Sequence, residues 1–274
     1  MITRFLCFTC VAYMFAIPRS YGELPPPISE RSSMLTATQI HPELNARSII
    51  ENAYMFSGGD RFRYPTTLFL SGYNIIRSRD GAETLWQDYA MWREFAQEKP
   101  DAHKASGKVR IEAWHNQELA LFLAFDGNRT YNQDGIMEGV DADKMWANNF
   151  GFSAIRHALD QGWQQTRNAD DMIDGVPAYM VTLTDPSGGS TLFGFRQKDF
   201  AILYVGFNTA KGWHERRYSN FFRKPGDSWL QAGRVRLFYN GIKANEAIWT
   251  DYSVNEPLGQ ELFTPEATPI KPNW

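Results

Sequence analysis

Short runs of β-branched and aromatic residues, separated by turn residues, restrict the fold of this chain more than any other feature. These runs predict β-strands at 66–76, 108–114, 118–125, 178–184, 190–196, 200–208, 234–239 and 248–254. Asp126-Gly127, Asn240-Gly241 and the segment 185–189 (DPSGG) supply turns. Because the strands do not alternate with helices, the pattern predicts antiparallel pairing rather than a parallel sheet.

Two segments show the apolar spacing of amphipathic helices. The first, 42–55, ends at Gly58-Gly59, and the second spans 149–164. Residues 86–95 fit either a helix or a strand. The order of helix, strands, helix and further strands predicts an α+β fold, in which one large curved antiparallel sheet has helices covering its concave face.

The predicted strand 118–125 (ELALFLAF) is apolar on both faces, whereas 108–114 alternates apolar with charged residues. A strand with two apolar faces needs a partner on each. We therefore expect a helix on one side and either a ligand or a second layer on the other.

The N-terminal residues 1–22 have the pattern of a secretory signal peptide. A basic start precedes an uncharged run at 5–17, and small residues stand at Ser20 and Gly22. The run is shorter than the roughly 20 apolar residues of a membrane anchor. We expect cleavage near Gly22, a periplasmic location, and an extended linker rich in proline and serine at 23–41.

Cysteine content and charge exclude several classes of protein. Both cysteines, Cys7 and Cys10, lie within the predicted signal peptide, so disulfide scaffolds, cysteine zinc sites and thiol nucleophiles are excluded for the exported chain. Lys plus Arg total 28 against 31 for Asp plus Glu, a formal charge of -3, which argues against nucleic-acid binding. Hydrophobic residues make up 43% of the chain, enough for a substantial core.

The second half of the chain carries four characteristic segments: 173–185 (IDGVPAYMVTLTD), the hairpin 191–195 with 200–205, the strand pair 239–243 with 248–252, and 254–263. With these segments the chain resembles the LolA-like family of periplasmic outer-membrane lipoprotein carriers and lipoprotein-sorting proteins. The resemblance covers a predicted domain at 42–264, which an extended tail at 265–274 follows. It implies an incomplete β-barrel plugged by helices, with an apolar cavity that holds acyl chains. Two stretches, 98–106 and 211–231, depart from the family pattern.

Aromatic residues on the predicted strands are candidates to line such a cavity. Each buried methylene of an acyl chain contributes about 0.8 kcal/mol, so an apolar wall can bind it with little polar specificity. The alternative for each ring is ordinary core packing. The candidates are Trp114, Phe122, Phe125, Phe193, Phe195, Tyr204, Phe207 and Trp249.

Residues 212–218 (GWHERRY) form the most chemically suggestive stretch. His214 next to Glu215 offers a base and an acid, and Arg216 and Arg217 can grip an anion. The zinc-protease pattern is absent because Tyr218 stands where the second histidine belongs. The segment is predicted to be either a solvated loop or a contact, through His214, Arg216 and Arg217, with a lipid head group or a partner.

The favoured function is therefore a non-enzymatic carrier or binding protein for a lipid or lipoprotein acyl chain. It is expected to act as a monomer, without metal or cofactor, together with membrane-associated donor and acceptor proteins. One alternative is a carbohydrate-active enzyme that uses Glu112, Glu118 or Glu215. Another is a regulatory sensor that binds a protein partner through 211–224.

Overall fold

The computed structural model of the chain describes residues 44–78, 80–96, 98 and 101–272. The predicted signal peptide at 1–22 and the linker at 23–41 lie outside these residues. Within the described part of the chain, no helix has both the length and the apolar character needed to cross a bilayer.

The first helix, α1, spans Ala46–Ser57 and confirms the helix predicted at 42–55. It begins where the Asn45 side chain accepts a hydrogen bond from the backbone N–H of Ser48 (2.9 Å). It ends at Gly58, whose φ of 135° lies outside the range that other residues readily adopt. A single turn, α2, follows at Asp60–Arg63.

All strands found in the described residues belong to one antiparallel sheet. The strands are β1 (Thr67–Arg77), β2 (Glu83–Glu94), β3 (Lys108–His115), β4 (Glu118–Phe125), β5 (Thr130–Asn132), β6 (Gly135–Ile136), β7 (Gln164–Arg167), β8 (Asp171–Ile173), β9 (Val176–Thr184), β10 (Ser190–Arg196), β11 (Ile202–Thr209), β12 (Gly212–Phe222), β13 (Gln231–Tyr239) and β14 (Ile242–Val254). Their order is β6-β5-β4-β3-β2-β1-β14-β13-β12-β11-β10-β9-β7, and β8 also pairs with β9. The sheet does not close into a barrel, which confirms the predicted α+β class with an open sheet.

The sheet consists of two arms, β1–β6 and β7–β14, that are joined by pairing of β1 with β14. This seam runs from Leu68 opposite Val254 to Ile76 opposite Asn245. Its register shifts after Ser71, where a Cβ on Gly72 would lie 1.9 Å from the carbonyl oxygen of Ile248. Glycine at position 72 therefore permits the close approach of the two arms.

The second helical segment connects the outer edges of the two arms and differs from the prediction of one helix at 149–164. It consists of α3 (Ala142–Phe150), a 3-10 turn at Gly151–Ser153 and α4 (Ala154–His157), and Gln164 already begins β7. The Asp141 side chain caps the start of α3. The α-helix stops at Gly151, which packs so closely against the Phe207 ring that a Cβ would lie 2.3 Å from it.

The helices cover one face of the sheet, called the inner face below. On the first arm, Trp146 and Phe150 of α3 pack on Ile111, Leu123 and Phe125. On the second arm, a larger core contains rings and aliphatic side chains of β9–β14 together with α1 and α4. These two clusters account for most of the buried apolar surface and hold the helices against the strands.

Strand β4 is covered on both faces, as its sequence predicted. Leu123 and Phe125 point to α3, whereas Phe122 packs near Tyr131 on the outer face. There the segment after β14 forms the second layer. Its anchor is a buried ion pair: Arg110 donates to Glu112 and, through Nη1, to the carbonyl oxygen of Leu262 (2.9 Å).

Strand β12 lies near the middle of the second arm. It belongs to the stretch 211–231, which departs from the family pattern in sequence. The loop interpretation of 212–218 is thus wrong. The sequence of β12 lacks the usual strand alternation of apolar and polar residues, because charged side chains lie on both faces of the strand. Outward-facing Arg217 pairs with Asp174 and Glu215 (2.9 Å each), and inward-facing Arg216 points to the helices. Residues 86–95, whose sequence fits either a helix or a strand, belong mainly to strand β2.

Candidate functional site

A cavity of about 2530 Å³ lies on the inner face between the two arms and is partly open to solvent. One wall comes from the first arm, and it includes Leu70, Tyr89, Met91, Ile111, Leu121 and Leu123. The opposite wall comes from the second arm, and it includes Tyr218, Val235, Leu237, Ala247 and Trp249. Apolar and aromatic side chains thus face the cavity from both halves of the sheet.

Tyr89 and Trp249 join these walls near the seam. Their rings are stacked, with centroids 4.9 Å apart and planes 22° apart, although the residues belong to β2 and β14. Burial raises the pKa of the Tyr89 hydroxyl to about 12, so this group is neutral at physiological pH. The stack gives the cavity a broad aromatic surface that carries no charge.

Three of the arginines that line this cavity interrupt its apolar walls: Arg93 of β2, Arg156 of α4 and Arg216 of β12. We call them the arginine cluster. Arg93 and Arg156 are 7% and 5% exposed, which is unusual for charged side chains. Each arises from a different part of the fold, so the cluster exists only when both arms and the helices are assembled.

The hydrogen bonds of the cluster centre on α3 and the turn after it. Arg93 donates from Nη1 to the carbonyl oxygen of Asn149 (3.1 Å) and from Nη2 to Ser153 Oγ (2.9 Å). Arg216 donates from Nη2 to Asn149 Oδ1 (3.1 Å). Arg156 donates from Nε to the carbonyl oxygen of Phe62 (2.9 Å). All of these acceptors are neutral.

Aromatic rings surround the guanidinium groups. The Cζ atom of Arg93 lies 4.7 Å from the ring centroid of Phe95 and 4.5 Å from that of Phe150. The Cζ atom of Arg156 lies 4.9 Å from the ring centroids of both Phe62 and Phe95. Cation–π attraction offsets part of the cost of removing these charges from water.

Burial lowers the pKa of two members of the cluster, Arg93 and Arg156. Burial, followed by the charges of Arg156 and Arg216, lowers the pKa of Arg93 to about 9. Burial lowers the pKa of Arg156 to about 10. Both groups therefore remain positively charged at neutral pH, and the cavity contains a concentrated positive charge in an apolar setting.

The residues predicted for head-group contact lie in three different environments. Arg216 lines the cavity, whereas Arg217 lies on the outer face with its acidic partners. His214 is fully buried beside the rings of Phe207 and Tyr239. Burial, followed by the charge of Arg216, holds the His214 pKa well below its usual value, so its ring is neutral and accepts a hydrogen bond from Arg216 Nε (3.3 Å).

The aromatic candidates are distributed over several layers. Trp249 lines the cavity. Phe193, Phe195 and Phe207 lie in the core of the second arm, and Phe125 packs with α3. Three other candidates lie away from the inner wall: Phe122 and Tyr204 pack in outer-face clusters, and Trp114 stands half-buried at the end of β3. The structure therefore brings one of these eight rings to the cavity.

Sequence reasoning missed Arg93, Arg156 and the apolar wall of β2. A signal for them was present, since Arg93 alternates with Tyr89 and Met91 at the spacing of one strand face. Arg156 likewise lies four residues after Phe152, on the apolar side of the segment predicted to be an amphipathic helix. A charged residue at an apolar position of a periodic pattern indicates a special environment, but the identity of its neighbours is not visible in the sequence.

The acids considered for catalysis do not converge. Glu112 is bound to Arg110 beneath the C-terminal segment, and Glu215 accepts a hydrogen bond from Tyr204 (3.0 Å) on the outer face of the other arm. Glu118 is exposed at the start of β4. Across the described residues, no group of three or more His, Cys, Asp or Glu side chains is arranged to hold a metal ion.

The fold and the site define an open antiparallel half-barrel with a helical cover and a cavity between its arms. No protein-family model matches the chain, and no curated protein matches it. Several solved structures are similar to the chain. The LolA superfamily protein from Nitrosomonas europaea is 16% identical over 81% of this chain and 98% of its own, with a TM-score of 0.49.

Two further structures show similar values. A domain described as an outer membrane lipoprotein-sorting protein, from Vibrio parahaemolyticus, is 12% identical over 80% of this chain and 97% of its own, with a TM-score of 0.43. A DUF1329 family protein from Desulfovibrio piger is 11% identical over the same shares, 80% and 97%, with a TM-score of 0.47. At these identities the likeness of the chain to the three structures concerns the fold alone.

Proposed function

We propose that this chain is an exported, non-enzymatic binding protein that shields the acyl chain of a lipid or lipoprotein in the cavity between its arms. The observation that supports this proposal most directly is the size and lining of the cavity. Its volume of about 2530 Å³ exceeds the roughly 300–1,000 Å³ of a typical small-molecule pocket. Its walls are largely apolar on both arms.

The energetics suit an acyl ligand. Burial of a sixteen-carbon chain at about 0.8 kcal/mol per methylene corresponds to roughly 12 kcal/mol before the costs of association. Hydrophobic attraction has no directional requirement. A wall of side chains such as Leu70, Met91 and Leu237 can therefore hold acyl chains of different lengths without specific polar contacts.

The cellular setting belongs to the same proposal. The signal-like residues 1–22 support export, and a carrier of acyl chains in the periplasm would exchange them with membrane-associated donor and acceptor proteins. The chain is proposed to act there as a monomer. The carrier role follows from the need to keep acyl chains out of water between membranes.

Lipid extraction tests the proposal directly. The protein is purified without detergent and examined by native mass spectrometry, before and after extraction with organic solvent. We expect a bound species that contains acyl chains and is released by the solvent. In a second measurement, oleate and monoolein should displace a hydrophobic fluorescent dye from the protein after the endogenous ligand has been removed.

A matched pair of variants locates the binding. Met91→Asp places a carboxylate on the cavity wall, while Met55→Asp makes the same change on α1 at a side chain that is 76% exposed. Desolvation of the new polar group costs about 1–3 kcal/mol, so Met91→Asp should weaken binding of both lipids about ten- to hundredfold. Met55→Asp should leave it unchanged. Protein that carries no acyl species and shows no dye displacement by either lipid would refute the proposal.

A further inference from the structure

The arginine cluster carries three positive charges into an apolar cavity without a matching negative charge. Among the described residues, Arg93, Arg156 and Arg216 form no ion pair, and the electrostatic effects on Arg93 come from the two other arginines. Charges in apolar surroundings are normally paired, because removing an ion from water costs several kcal/mol. The cluster therefore lacks a counter-charge that its environment requires.

The arginines also have hydrogen-bonding capacity to spare. The Nε atom of Arg93 is buried without an acceptor. Arg156 uses its Nε for the carbonyl of Phe62, while its two terminal nitrogens make no hydrogen bond to described residues. Since a guanidinium offers five N–H donors in a planar fork, these free donors suit an anion with two or more acceptor oxygens.

The three side chains converge although they come from distant parts of the sequence. Arg93 and Arg216 bind the backbone and the side chain of Asn149, respectively. Arg93 and Arg156 both lie over the ring of Phe95. These shared neighbours place the three guanidinium groups around one region of the cavity lining.

No other ionisable group among the described residues replaces the missing anion. The acids of the cavity lining, Asp80 and Asp141, lie at turns, and Asp141 is already paired with Lys144. Tyr218 also lines the cavity, and burial raises the pKa of its hydroxyl to about 12, so it is neutral at physiological pH. His214, which contacts Arg216, is neutral as well.

We infer that the arginine cluster binds the anionic head, a carboxylate or a phosphate, of an acyl amphiphile whose tail lies along the apolar walls of the same cavity. This inference rests on the proposed lipid-binding function and adds the chemical class of the ligand. The anion supplies the missing counter-charge. The apolar surroundings strengthen its attraction to the arginines relative to water.

Pairs of ligands with the same tail test the inference. Binding to the full-length exported protein, after removal of endogenous lipid, is measured by calorimetry or dye displacement for oleate against methyl oleate and for oleoyl lysophosphatidate against monoolein. We expect the anionic member of each pair to bind at least tenfold more tightly. Inorganic phosphate alone should bind far more weakly than lysophosphatidate, because it lacks the tail.

Neighbouring arginines on opposite faces of β12 provide the matched variants. Arg216→Gln should reduce the preference for oleate over methyl oleate to less than threefold. Arg217→Gln, on the outer face, should keep the full preference. Arg156→Gln serves as a second cavity variant with the same expectation as Arg216→Gln, and circular dichroism confirms that each variant is folded.

The outcomes separate the two proposals. Equal binding of oleate and methyl oleate, or equal loss of preference in Arg216→Gln and Arg217→Gln, would overturn the anion site while leaving the lipid-binding function intact. Phosphate that binds as tightly as lysophosphatidate would show a site for free anions and would also overturn the inference. Absence of binding by all four lipids would instead refute the proposed function itself.

Discussion

Arg93 of β2 and Arg216 of β12 donate hydrogen bonds to the same residue, Asn149, at 3.1 Å each. The first uses the backbone carbonyl and the second uses the side-chain oxygen. Because β2 and β12 belong to different arms of the sheet, Asn149 joins the two arms through the end of α3. The same contact holds two members of the arginine cluster beside the cavity.

Asn149→Ala should loosen this connection. The change removes the acceptor of Arg216 but keeps the carbonyl that Arg93 uses, and a hydrogen bond to a charged group contributes about 1.5–3 kcal/mol. We expect the free energy of unfolding to fall by about 1–2 kcal/mol, measured by urea denaturation, and amide exchange in 142–157 to become faster. Asn148→Ala is the control. Equal behaviour of the two variants would contradict the role of Asn149.

Gly72→Ala should weaken the seam between β1 and β14. A Cβ at this position would lie 1.9 Å from the carbonyl oxygen of Ile248, so the two strands must separate locally. Overpacking of this kind costs about 1–3 kcal/mol. The expected result is a lower midpoint of thermal unfolding, whereas Ser71→Ala next to it should have a smaller effect. An unchanged midpoint in Gly72→Ala would show that the seam can relax freely.

Glu112→Gln tests the buried ion pair beneath the C-terminal segment. Arg110 and Glu112 are each about 1% exposed, and removal of one charge leaves the other buried without its partner. Breaking such a pair costs about 3–5 kcal/mol. Glu51→Gln, in the exposed pair of Glu51 with Arg47, should cost less than about 1 kcal/mol by the same denaturation measurement.

The double variant Arg110→Met with Glu112→Leu should recover much of that loss. Burial is the largest influence on the pKa of Glu112 and raises it even though Arg110 acts in the opposite direction. The desolvation cost of the pair is therefore large, and apolar replacement removes it. A double variant no more stable than Glu112→Gln would show that the pair itself holds the C-terminal segment in place.

Acid should destabilise the fold through His103. Its ring stacks on Phe207 at 4.0 Å, and burial lowers its pKa from 6.5 to about 4. The unfolded chain therefore takes up a proton at a higher pH than the folded one, so stability is full above about pH 6.5 and falls as the pH drops toward 4. In His103→Phe, the loss of unfolding free energy between pH 7 and pH 4.5 should be smaller by about 1–3 kcal/mol. An identical loss in both proteins would assign the acid sensitivity to other groups.

Several features of the fold were readable from local sequence. The turn at Asn240-Gly241, the strand at 108–114 and the helix before Gly58 depend on neighbours in the chain, and each was predicted in its observed place. The alternation at 108–114 suggested a solvent-facing charged side, but Arg110 and Glu112 are buried. The two apolar faces of 118–125 likewise predicted two packed layers. Local propensity and periodicity determine these elements because their causes lie within a few residues.

Other features depend on contacts between distant segments. In the sequence, the polar residues His214, Glu215 and Arg217 of β12 resemble a solvated loop. In the folded chain, Tyr204, Asp174 and the adjacent strands surround these side chains. Position 151 is restricted to a small residue by the distant Phe207 ring, which a Cβ would approach to 2.3 Å. In both cases the decisive partner lies far away in the sequence.

By itself, the sequence determined eight of the fourteen described strands, several turns and the antiparallel class, because alternation and turn chemistry act locally. Only the tertiary structure decided which side chains border the cavity and that Arg93, Arg156 and Arg216 meet there. These residues lie on different arms and on a connecting helix, so their shared environment arises only when β1 pairs with β14 and the helical segment packs between the arms. A charged side chain is a candidate binding residue because of the residues that surround it in space. Long-range packing determines which residues those are.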